Sequence, residues 1–388
     1  MTVMPEIAAS EAELVEIFED LHRHPEIGFE ETRTSRIVAE KLRAYGIDEV
    51  HEGIGGTGVV GLIRGKGPGN RCVGLRADMD ALPIDEISGV AYASQNPGAM
   101  HACGHDGHTT MLLGAAKHLA ATRNFDGTAM MIFQPAEEGL GGARRMIAEG
   151  LFERFPCDEV YGMHNNPMAA PGHVSICKGT AMAGAQFFDI TVTGRGSHAA
   201  MPQQSRDAVV IASNLVGQLQ SVVSRNVAPT DTCVLSVTQI HAGSAYNVVP
   251  ETATLAGTIR YFQDDVRDLA EDRIAALCKG AEAAYGVQIS FESRNIFDVL
   301  INEAELSDAY LAAAADIVGQ DHVSEVHTPM TGSEDFADML KVVPGAYCTV
   351  GHTGDIALHN PAFVLGKEIL PVGAAVMARM LEHRLSLG

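Results

Sequence analysis

A dense group of potential metal ligands stands in the segment 101–108, whose sequence is His-Ala-Cys-Gly-His-Asp-Gly-His. Thiolate, imidazole and carboxylate are the groups that bind Zn²⁺ and related divalent ions in proteins. Cys103 and His105 flank a glycine, which allows the backbone to turn so that both side chains face one point. A Cys-x-His pair alone is more often a small buried thiol beside an ordinary histidine. The three further polar residues of this segment favour a metal site, because a core rarely accepts so many polar groups without partners.

Two adjacent acids, Glu137 and Glu138, follow a strongly apolar run and the dipeptide Gln134-Pro135. Adjacent side chains that leave an irregular segment can diverge, so that one carboxylate binds a metal ion while the other acts as a general base toward water. An isolated pair of acids is usually solvated in an exposed turn. The apolar run before the pair, together with the His/Cys segment, argues against an exposed turn here.

Two more histidines, His164 and His359, could complete a metal centre, although either one alone is more often an ordinary hydrogen-bonded histidine. Taken with Cys103, His105 and Glu138, they would suit two ions. The ions of such sites lie roughly 3.5–4 Å apart, which usually requires a shared ligand or water. The residue types therefore predict hydrolytic chemistry with metal-activated water.

Further polar candidates lie in the middle of the chain. His198 follows a glycine-rich turn, Asn247 stands in the segment 245–250, and Arg260 ends a strand-like run. An arginine at a strand end is usually a surface charge. Its functional interpretation is a bidentate clamp on the carboxylate of a substrate.

Strand-like and helical stretches alternate in the first half of the chain. Strands are predicted at 58–64, 72–77, 129–133 and 159–164. The alternation indicates an α/β domain with a largely parallel sheet covered by helices. Asp78, the Glu137-Glu138 pair and His164 each follow or close one of these strands. We therefore expect them to meet at the carboxyl edge of the sheet, where such folds carry their sites.

From about residue 186 the pattern changes to β-α-β-β-α-β, which is the order of a ferredoxin-like α+β unit. We interpret this unit as an inserted lid or dimerisation domain at 185–295. Catalytic-domain segments are predicted at 1–184 and 296–388, the second containing a helix at 303–318, a strand at 346–351 and a helix at 373–384. The length of 388 residues agrees with two domains.

The composition limits which binding partners and which cellular location are expected. The formal net charge of −22 repels phosphate backbones, so neither nucleic acid nor an anionic membrane surface is an expected partner. The seven cysteines lack paired spacing, which predicts reduced thiols. The chain start lacks a basic region followed by an apolar stretch, and no window approaches the roughly 18 apolar residues of a membrane span. A cytoplasmic protein is therefore predicted.

Eight ordered segments, spread nearly from end to end, carry a resemblance to a known family: 21–26, 76–83, 100–108, 134–138, 198–202, 247–250, 332–336 and 358–361. With these segments the chain resembles the M20 metallopeptidase family. The similar subgroup is that of the N-acyl-amino-acid amidohydrolases, which includes hippurate hydrolases and indole-acetyl-amino-acid hydrolases. The wider family places a histidine ligand two residues before Asp78. Arg76 stands there in this chain, which fits the subgroup that uses Cys103 instead.

The resemblance implies two divalent ions per subunit, Zn²⁺ or Mn²⁺ with Co²⁺ or Ni²⁺ as further candidates. The implied ligands are Cys103, His105, Glu138, His164 and His359. Glu137 is implied as the general base, and Asp78 as a residue that supports the site from behind the ligands.

The resemblance further implies that His198 polarises the scissile carbonyl, in its own site or in that of a partner subunit. Asn247 and Arg260 would hold the carboxylate of the substrate. A homodimer, or an oligomer built from dimers through the inserted domain, is expected.

Together these features predict hydrolysis of an N-acyl amino acid to a carboxylic acid and a free amino acid. Two enzymatic alternatives use the same metal centre, namely a dipeptidase or aminopeptidase and an N-carbamoyl-amino-acid hydrolase. A metal-stabilised dimeric binding protein is the non-enzymatic alternative. It is disfavoured because a binding module does not need an acid poised beside a metal ligand.

Overall fold

The sheet that carries the predicted site lies in the first of two compact units. The computed structural model describes residues 3–387, so Met1 and Thr2 of the chain start interpreted above, and Gly388, lie outside the described residues. The first unit comprises the chain up to Ala181, then Ile301–Pro329 and the chain from Asp335 onward; the second comprises Met182–Leu300 and Met330–Glu334. The domain boundaries given above remain a prediction. No sequence pattern indicated that the short segment Met330–Glu334 groups with the second unit.

The helices are α1 (Pro5–Ala8), α2 (Glu11–Arg23), α3 (Thr32–Ala44), α4 (His105–Thr122), α5 (Gly142–Ala148), α6 (Leu151–Arg154), α7 (Ala208–Asn226), α8 (Asp264–Tyr285), α9 (Ala304–Val318), α10 (Phe336–Leu340) and α11 (Ile369–Arg384). Short 3-10 helices occur at Pro202–Gln204 and Gln320–His322. Among the helices of residues 3–387, none combines the length and the apolar character that crossing a membrane requires.

The strands are β1 (Glu49–Ile54), β2 (Gly58–Arg64), β3 (Gly67–Asp78), β4 (Asp126–Gln134), β5 (Glu159–Asn166), β6 (Val174–Cys177), β7 (Gly179–Met182), β8 (Gly184–Thr193), β9 (Ser197–His198), β10 (Cys233–Ala242), β11 (Val248–Val249), β12 (Thr252–Tyr261), β13 (Gln288–Phe297), β14 (Leu300–Asn302), β15 (Val323–Val326) and β16 (Gly345–Gly351).

The first unit is built on an eight-stranded sheet with the order β1-β2-β4-β3-β5-β16-β6-β15. The pairs β4–β3, β3–β5, β5–β16 and β6–β15 are parallel, which confirms the predicted mainly parallel sheet. Strand β1 pairs with β2, β2 with β4, and β16 with β6 in antiparallel fashion. The β1–β2 connection is too short for a parallel crossover, so these two strands form a hairpin.

The carboxyl ends of β3 and β4 lie side by side, because Asp78 pairs with Gln134 in parallel register. Asp78 is the last residue of its strand, one residue later than predicted. Strand β5 runs on to Asn166, so His164 lies within the strand and does not close it as predicted. The reason is β16, whose Thr349 pairs with His164 and whose Gly351 pairs with Asn166.

Helix α4 begins at His105 itself and is buried along most of its length, packing against α11 and α2. Small residues make the close contacts possible. A Cβ atom on Gly114 would lie 2.9 Å from the Cβ of Ala374, and one on Gly373 would lie 1.9 Å from the sulfur of Met111. This packing fixes the helix that presents His105 to the sheet edge.

The second unit contains a four-stranded antiparallel sheet with the order β10-β12-β8-β13. Its chain order β8-α7-β10-β12-α8-β13 confirms the predicted ferredoxin-like unit. Buried residues alternate along β8 and β12, which gives the sheet one apolar face. Side chains of α7 and α8 complete this core.

Candidate metal centre

Seven of the ten predicted site residues lie in the first unit, and six of them present donor atoms close to one another. Within each of three overlapping groups, one donor atom from each residue lies within 4.8 Å of the others. The groups are Cys103 with His105 and His164, Cys103 with Glu138 and His359, and His105 with Glu137 and Glu138. The thiol of Cys103 therefore belongs to two groups, as a ligand shared between two ions would.

The spacing of these atoms fits divalent cations. The Cys103 Sγ lies 3.4 Å from the His164 Nε2, and the Glu138 Oε1 lies 3.3 Å from the His359 Nε2 and 4.0 Å from the His105 Nε2. Among the described residues, the buried His105 Nε2 and Glu138 Oε1 have no hydrogen-bond partner. Buried polar atoms without partners are rare and costly. A cation coordinated between them would satisfy both, and a set of sulfur, nitrogen and oxygen donors suits Zn²⁺ and its neighbours.

The turn that joins Cys103 to His105 requires glycine. Gly104 has a φ of +92°, and a Cβ atom there would lie 2.9 Å from the Asn165 side chain and 2.9 Å from Leu365. Only glycine adopts this backbone without strain and leaves the necessary space. The thiol and the first side chain of α4 are thereby directed to one point, as the sequence predicts.

The loop after β4 brings two consecutive carboxylates to one place. Consecutive side chains of an extended strand point to opposite faces, yet Glu137 and Glu138 both reach the His105 ring. The chain leaves the strand direction just before this pair, at Ala136, which adopts a φ of +54°, a left-handed conformation that costs a non-glycine residue about 1–2 kcal/mol. The backbone after this turn is also held, because the Glu138 N–H donates to the Asp80 Oδ2 at 3.0 Å.

His359 stands in a second strained turn, with a φ of +64° and its backbone N–H donated to the carbonyl of Ala102 at 2.8 Å. The nearby Cys103 thiol and the ion pair with the Glu138 carboxylate raise the pKa of His359 to about 10 when no cation is bound. A proton and a metal ion compete for the same imidazole nitrogen. Strain of this kind in a non-glycine residue is typical of functional sites.

Two of the imidazoles are oriented by their second ring nitrogen. The His105 Nδ1 lies 3.2 Å from the Asp80 Oδ1, and the His164 Nδ1 donates to the Asn165 carbonyl at 2.7 Å. Each contact leaves Nε2 for the metal side, the arrangement found around protein-bound zinc. Burial, together with the nearby His108, lowers the pKa of His164, so this ring is neutral and able to bind a cation.

Asp78 belongs to a buried charge network beside the His105 ring, with its Oδ2 3.8 Å from the His105 Nε2. Its Oδ1 accepts from the His108 Nδ1 at 2.6 Å, and its Oδ2 accepts from the Arg76 Nη1 at 2.7 Å. Arg76 is 1% exposed and also donates to the Asp335 Oδ1 at 3.1 Å. Burial acts to raise the pKa of Asp78, but the charges of His105 and Arg76 hold it well below its usual range. Removing Arg76 would leave buried charges unpaired, which is costly.

The other three predicted residues lie in the second unit. His198, in β9, pairs with Val248 of β11, and the Asn247 carbonyl accepts from the Ala199 N–H at 3.0 Å, so His198 and Asn247 stand on neighbouring backbones. The His198 Nδ1 accepts from the Ala200 N–H at 3.1 Å, which leaves its Nε2–H as a donor. Arg260, in β12, is half-buried and donates to the Ser333 hydroxyl at 2.5 Å.

Two residues that lie against the predicted site residues were missed by the sequence reasoning. Asp80 touches both His105 and the backbone of Glu138. Its spacing of two from Asp78, directly after a strand, is a signal that could have found it. Asp335 accepts from Arg76 at 3.1 Å and from the Gln134 Nε2 at 2.6 Å, and one of its oxygens lies within 4.8 Å of the Glu137 carboxylate. A charged residue inside the apolar strand 72–77 was the available hint, because such a residue needs a buried partner.

Comparison with known proteins shows which family the chain resembles. Residues 74–383 match the model of the peptidase family M20/M25/M40. The chain is 40% identical over 380 residues to the hippurate hydrolase of Campylobacter jejuni, covering 98% of each chain. It is 37% identical to the IAA-amino acid hydrolase ILR1-like 2 of Arabidopsis thaliana, covering 96% of this chain and 85% of that one.

Among solved structures, a dinuclear metal binding peptidase of the M20 family from Bacillus subtilis has a TM-score of 0.83 and 31% identity, covering 97% of this chain and 99% of the other. Sequence and fold agree over almost the whole chain. The protein therefore belongs to the peptidase family M20/M25/M40.

Proposed function

We propose that the protein is a metal-dependent amidohydrolase that cleaves N-acyl amino acids to a carboxylic acid and a free amino acid. The observation that carries the proposal is the pair of donor groups that share Cys103, with Glu137 beside them. The hydrolases reported above, one named for hippurate and one for IAA-amino acids, support this class of substrate.

The proposed ion ligands are Cys103, His105, Glu138, His164 and His359. Two divalent ions bound there would supply Lewis-acid polarisation and a lowered pKa for water. Glu137 would take a proton from the attacking water as its oxygen bonds to the amide carbon. It would return that proton to the nitrogen as the carbon–nitrogen bond breaks. Asp78 would keep the imidazoles behind the site in a fixed orientation and charge state.

In the second unit we assign His198 to the developing oxyanion. Its Nε2–H is available as a donor because Nδ1 is already occupied by a backbone N–H. One such donor is typically worth about 2.7–4 kcal/mol of transition-state stabilisation. Asn247 and Arg260 are assigned to the carboxylate of the substrate, for which a guanidinium is well suited.

Substrate specificity provides the test of this proposal. We expect the metal-reconstituted protein to hydrolyse N-acetyl or N-benzoyl amino acids faster than unblocked dipeptides or N-carbamoyl amino acids, measured as kcat/KM across one panel. Chelation should abolish turnover, and Mn²⁺ or Zn²⁺ should restore it. Preference for a free α-amine would favour a dipeptidase or aminopeptidase, and preference for the carbamoyl group would favour an N-carbamoyl-amino-acid hydrolase. No turnover on any of the three would contradict an enzyme of this type.

The resident ions are proposed as Zn²⁺ or Mn²⁺, because the thiolate favours zinc whereas carboxylates also accept manganese. A cytoplasmic location is proposed as well. All seven cysteines are free thiols, which is usual in a reducing compartment.

A homodimer through the second unit is also proposed. Strand β10 lies at the edge of its sheet, and its Val234 and Ile240 are 39% and 51% exposed. An open edge with apolar side chains can pair with the same edge of a second copy.

We expect analytical ultracentrifugation of the native protein to give a mass twice the 41.1 kDa of one chain. Replacing both Val234 and Ile240 by Lys should give the monomer mass in analytical ultracentrifugation. The control is Val342→Lys, at a site of similar exposure in the first unit, which should leave the mass unchanged. A native protein of monomer mass would rule out this interface.

A further inference from the structure

Glu31 is fully buried and is not used by the site described above. It occupies the N-cap position of α3, where a carboxylate normally accepts the first N–H groups of its own helix. Its side chain makes no such bond. Glu26 caps the helix instead, accepting the Arg33 and Thr34 N–H groups at 2.9 and 2.8 Å.

The Glu31 carboxylate is directed to the loop after β4. Its Oε1 accepts the backbone N–H of Ala136 at 2.8 Å, and its Oε2 accepts the Thr57 hydroxyl at 2.5 Å. At 0% exposure, a carboxylate is retained only where its partners need it. Burial raises the pKa of Glu31 to about 7, which shows how unfavourable the environment is for its charge.

Ala136 is the residue with the left-handed backbone at which the chain turns after β4, directly before Glu137 and Glu138. The segment that carries Glu31 also lies against Ala136, because a Cβ atom on Gly28 would be 2.9 Å from the Ala136 Cα. On the other side of the turn, the Gly142 N–H donates to the Ala136 carbonyl at 3.0 Å. The peptide group before Ala136 is therefore held by Glu31 through its N–H, and the peptide group after Ala136 is held by Gly142 through its carbonyl.

We propose that Glu31 is a positioning residue. Its buried carboxylate holds Ala136 in the left-handed conformation and thereby positions the two residues that follow, the general base Glu137 and the metal ligand Glu138. This inference deepens the proposed function and rests on it for the roles of Glu137 and Glu138. The Glu31 carboxylate acts through the backbone of the turn, since its Oε1 accepts the Ala136 N–H.

The test compares four forms of the full-length protein by titration with Mn²⁺ and Zn²⁺ and by steady-state kinetics. Glu31→Ala should weaken the affinity for either ion roughly 10–100-fold, the range found when outer partners of metal ligands are removed. At saturating metal its kcat should fall about tenfold while KM stays near the wild-type value, which marks an interaction made in the transition state. Glu31→Gln keeps an acceptor for the Ala136 N–H and should restore most of both properties.

Thr57→Val is the matched control, because it removes the other hydrogen bond of the same carboxylate without touching Ala136. Its metal affinity and kcat should stay near wild type even if its melting temperature falls. Equal damage in Thr57→Val and Glu31→Ala would overturn the inference, since it would mean general loss of packing. Unchanged metal affinity and kcat in Glu31→Ala would overturn it directly. Glu31→Leu, which keeps the volume, replaces the alanine variant if that variant does not fold.

A second backbone test uses Ala136→Gly, because glycine adopts positive φ without strain. In the Glu31→Ala background this change should recover part of the lost metal affinity, and no recovery would count against the inference. The metal titrations need no substrate, so they separate the two proposals. A wild-type protein that binds the ions but hydrolyses no N-acyl amino acid refutes the proposed function, while the comparison of variants still decides the role of Glu31. A wild-type protein that binds neither ion refutes both.

Discussion

Replacement of Glu137 by Gln is expected to leave metal binding intact and to lower kcat by roughly 10²–10⁴-fold, the usual contribution of general acid–base catalysis. Glutamine has nearly the same shape but cannot take a proton from water or return one to the leaving nitrogen. The carboxylate lies within 4.8 Å of the donor atoms of His105 and Glu138. Metal content by elemental analysis and kcat on the best N-acyl amino acid measure the two halves of this expectation.

Glu138→Gln provides the matched control, since it makes the same chemical change one residue along the chain. It should lower metal affinity first, because its Oε1 lies between His105 and His359. A Glu137→Gln enzyme with near-native kcat would remove this residue from the role of base. Equal metal loss in both variants would make Glu137 a ligand.

Replacement of Cys103 by Ala should have an effect of similar size through metal loss. The thiol belongs to two of the three donor groups, so its removal should weaken the binding of each proposed ion. Substitutions of outer partners cost about 10–100-fold in metal affinity or activity, and a shared direct ligand should cost more than 100-fold. Burial raises the pKa of the Cys103 thiol, so a bound cation is needed to keep it ionised. Metal stoichiometry and kcat/KM are the measurements.

Cys348→Ala is the control for Cys103→Ala. Cys348 is also a buried free thiol, in β16, and lies outside all the donor groups described above. Its removal should lower stability with little change in metal content. If Cys103→Ala retained two ions and full activity, the shared-ligand arrangement would be wrong.

Regular elements with strong local signals could be predicted closely. Helix α8 runs over Asp264–Tyr285, as predicted, because it is long, amphipathic and followed by Gly286 with a φ of +64°. Strand β2 also has the predicted bounds. Strands β1 and β15 were not predicted. They are short, lie at the two edges of the sheet and bury little apolar surface, so no alternation marks them.

The site residues also divide into those with a local sequence signal and those without one. Cys103 and His105 could be singled out because their ligand types are dense in sequence. Glu138, His164 and His359 were candidates by residue type, and the family resemblance supported the whole set. Arg76 and Glu31 could not be assigned, because their partners are set by the tertiary fold. Asp335 lies 259 residues from Arg76, and Ala136 lies 105 residues from Glu31. No local pattern encodes such distances.

The position of β16 in the sheet constrains how the protein is made. This strand comes late in the chain but lies between β5 and β6, which are synthesised far earlier. Because chains fold from the N-terminus as they emerge from the ribosome, a nascent chain that stops before Gly345 exposes two open strand edges where the mature sheet is continuous. His359, a proposed ligand, follows still later, so a chain that stops before it would lack one donor of the proposed metal centre. Until then the exposed edges are natural targets for a chaperone or for misassociation.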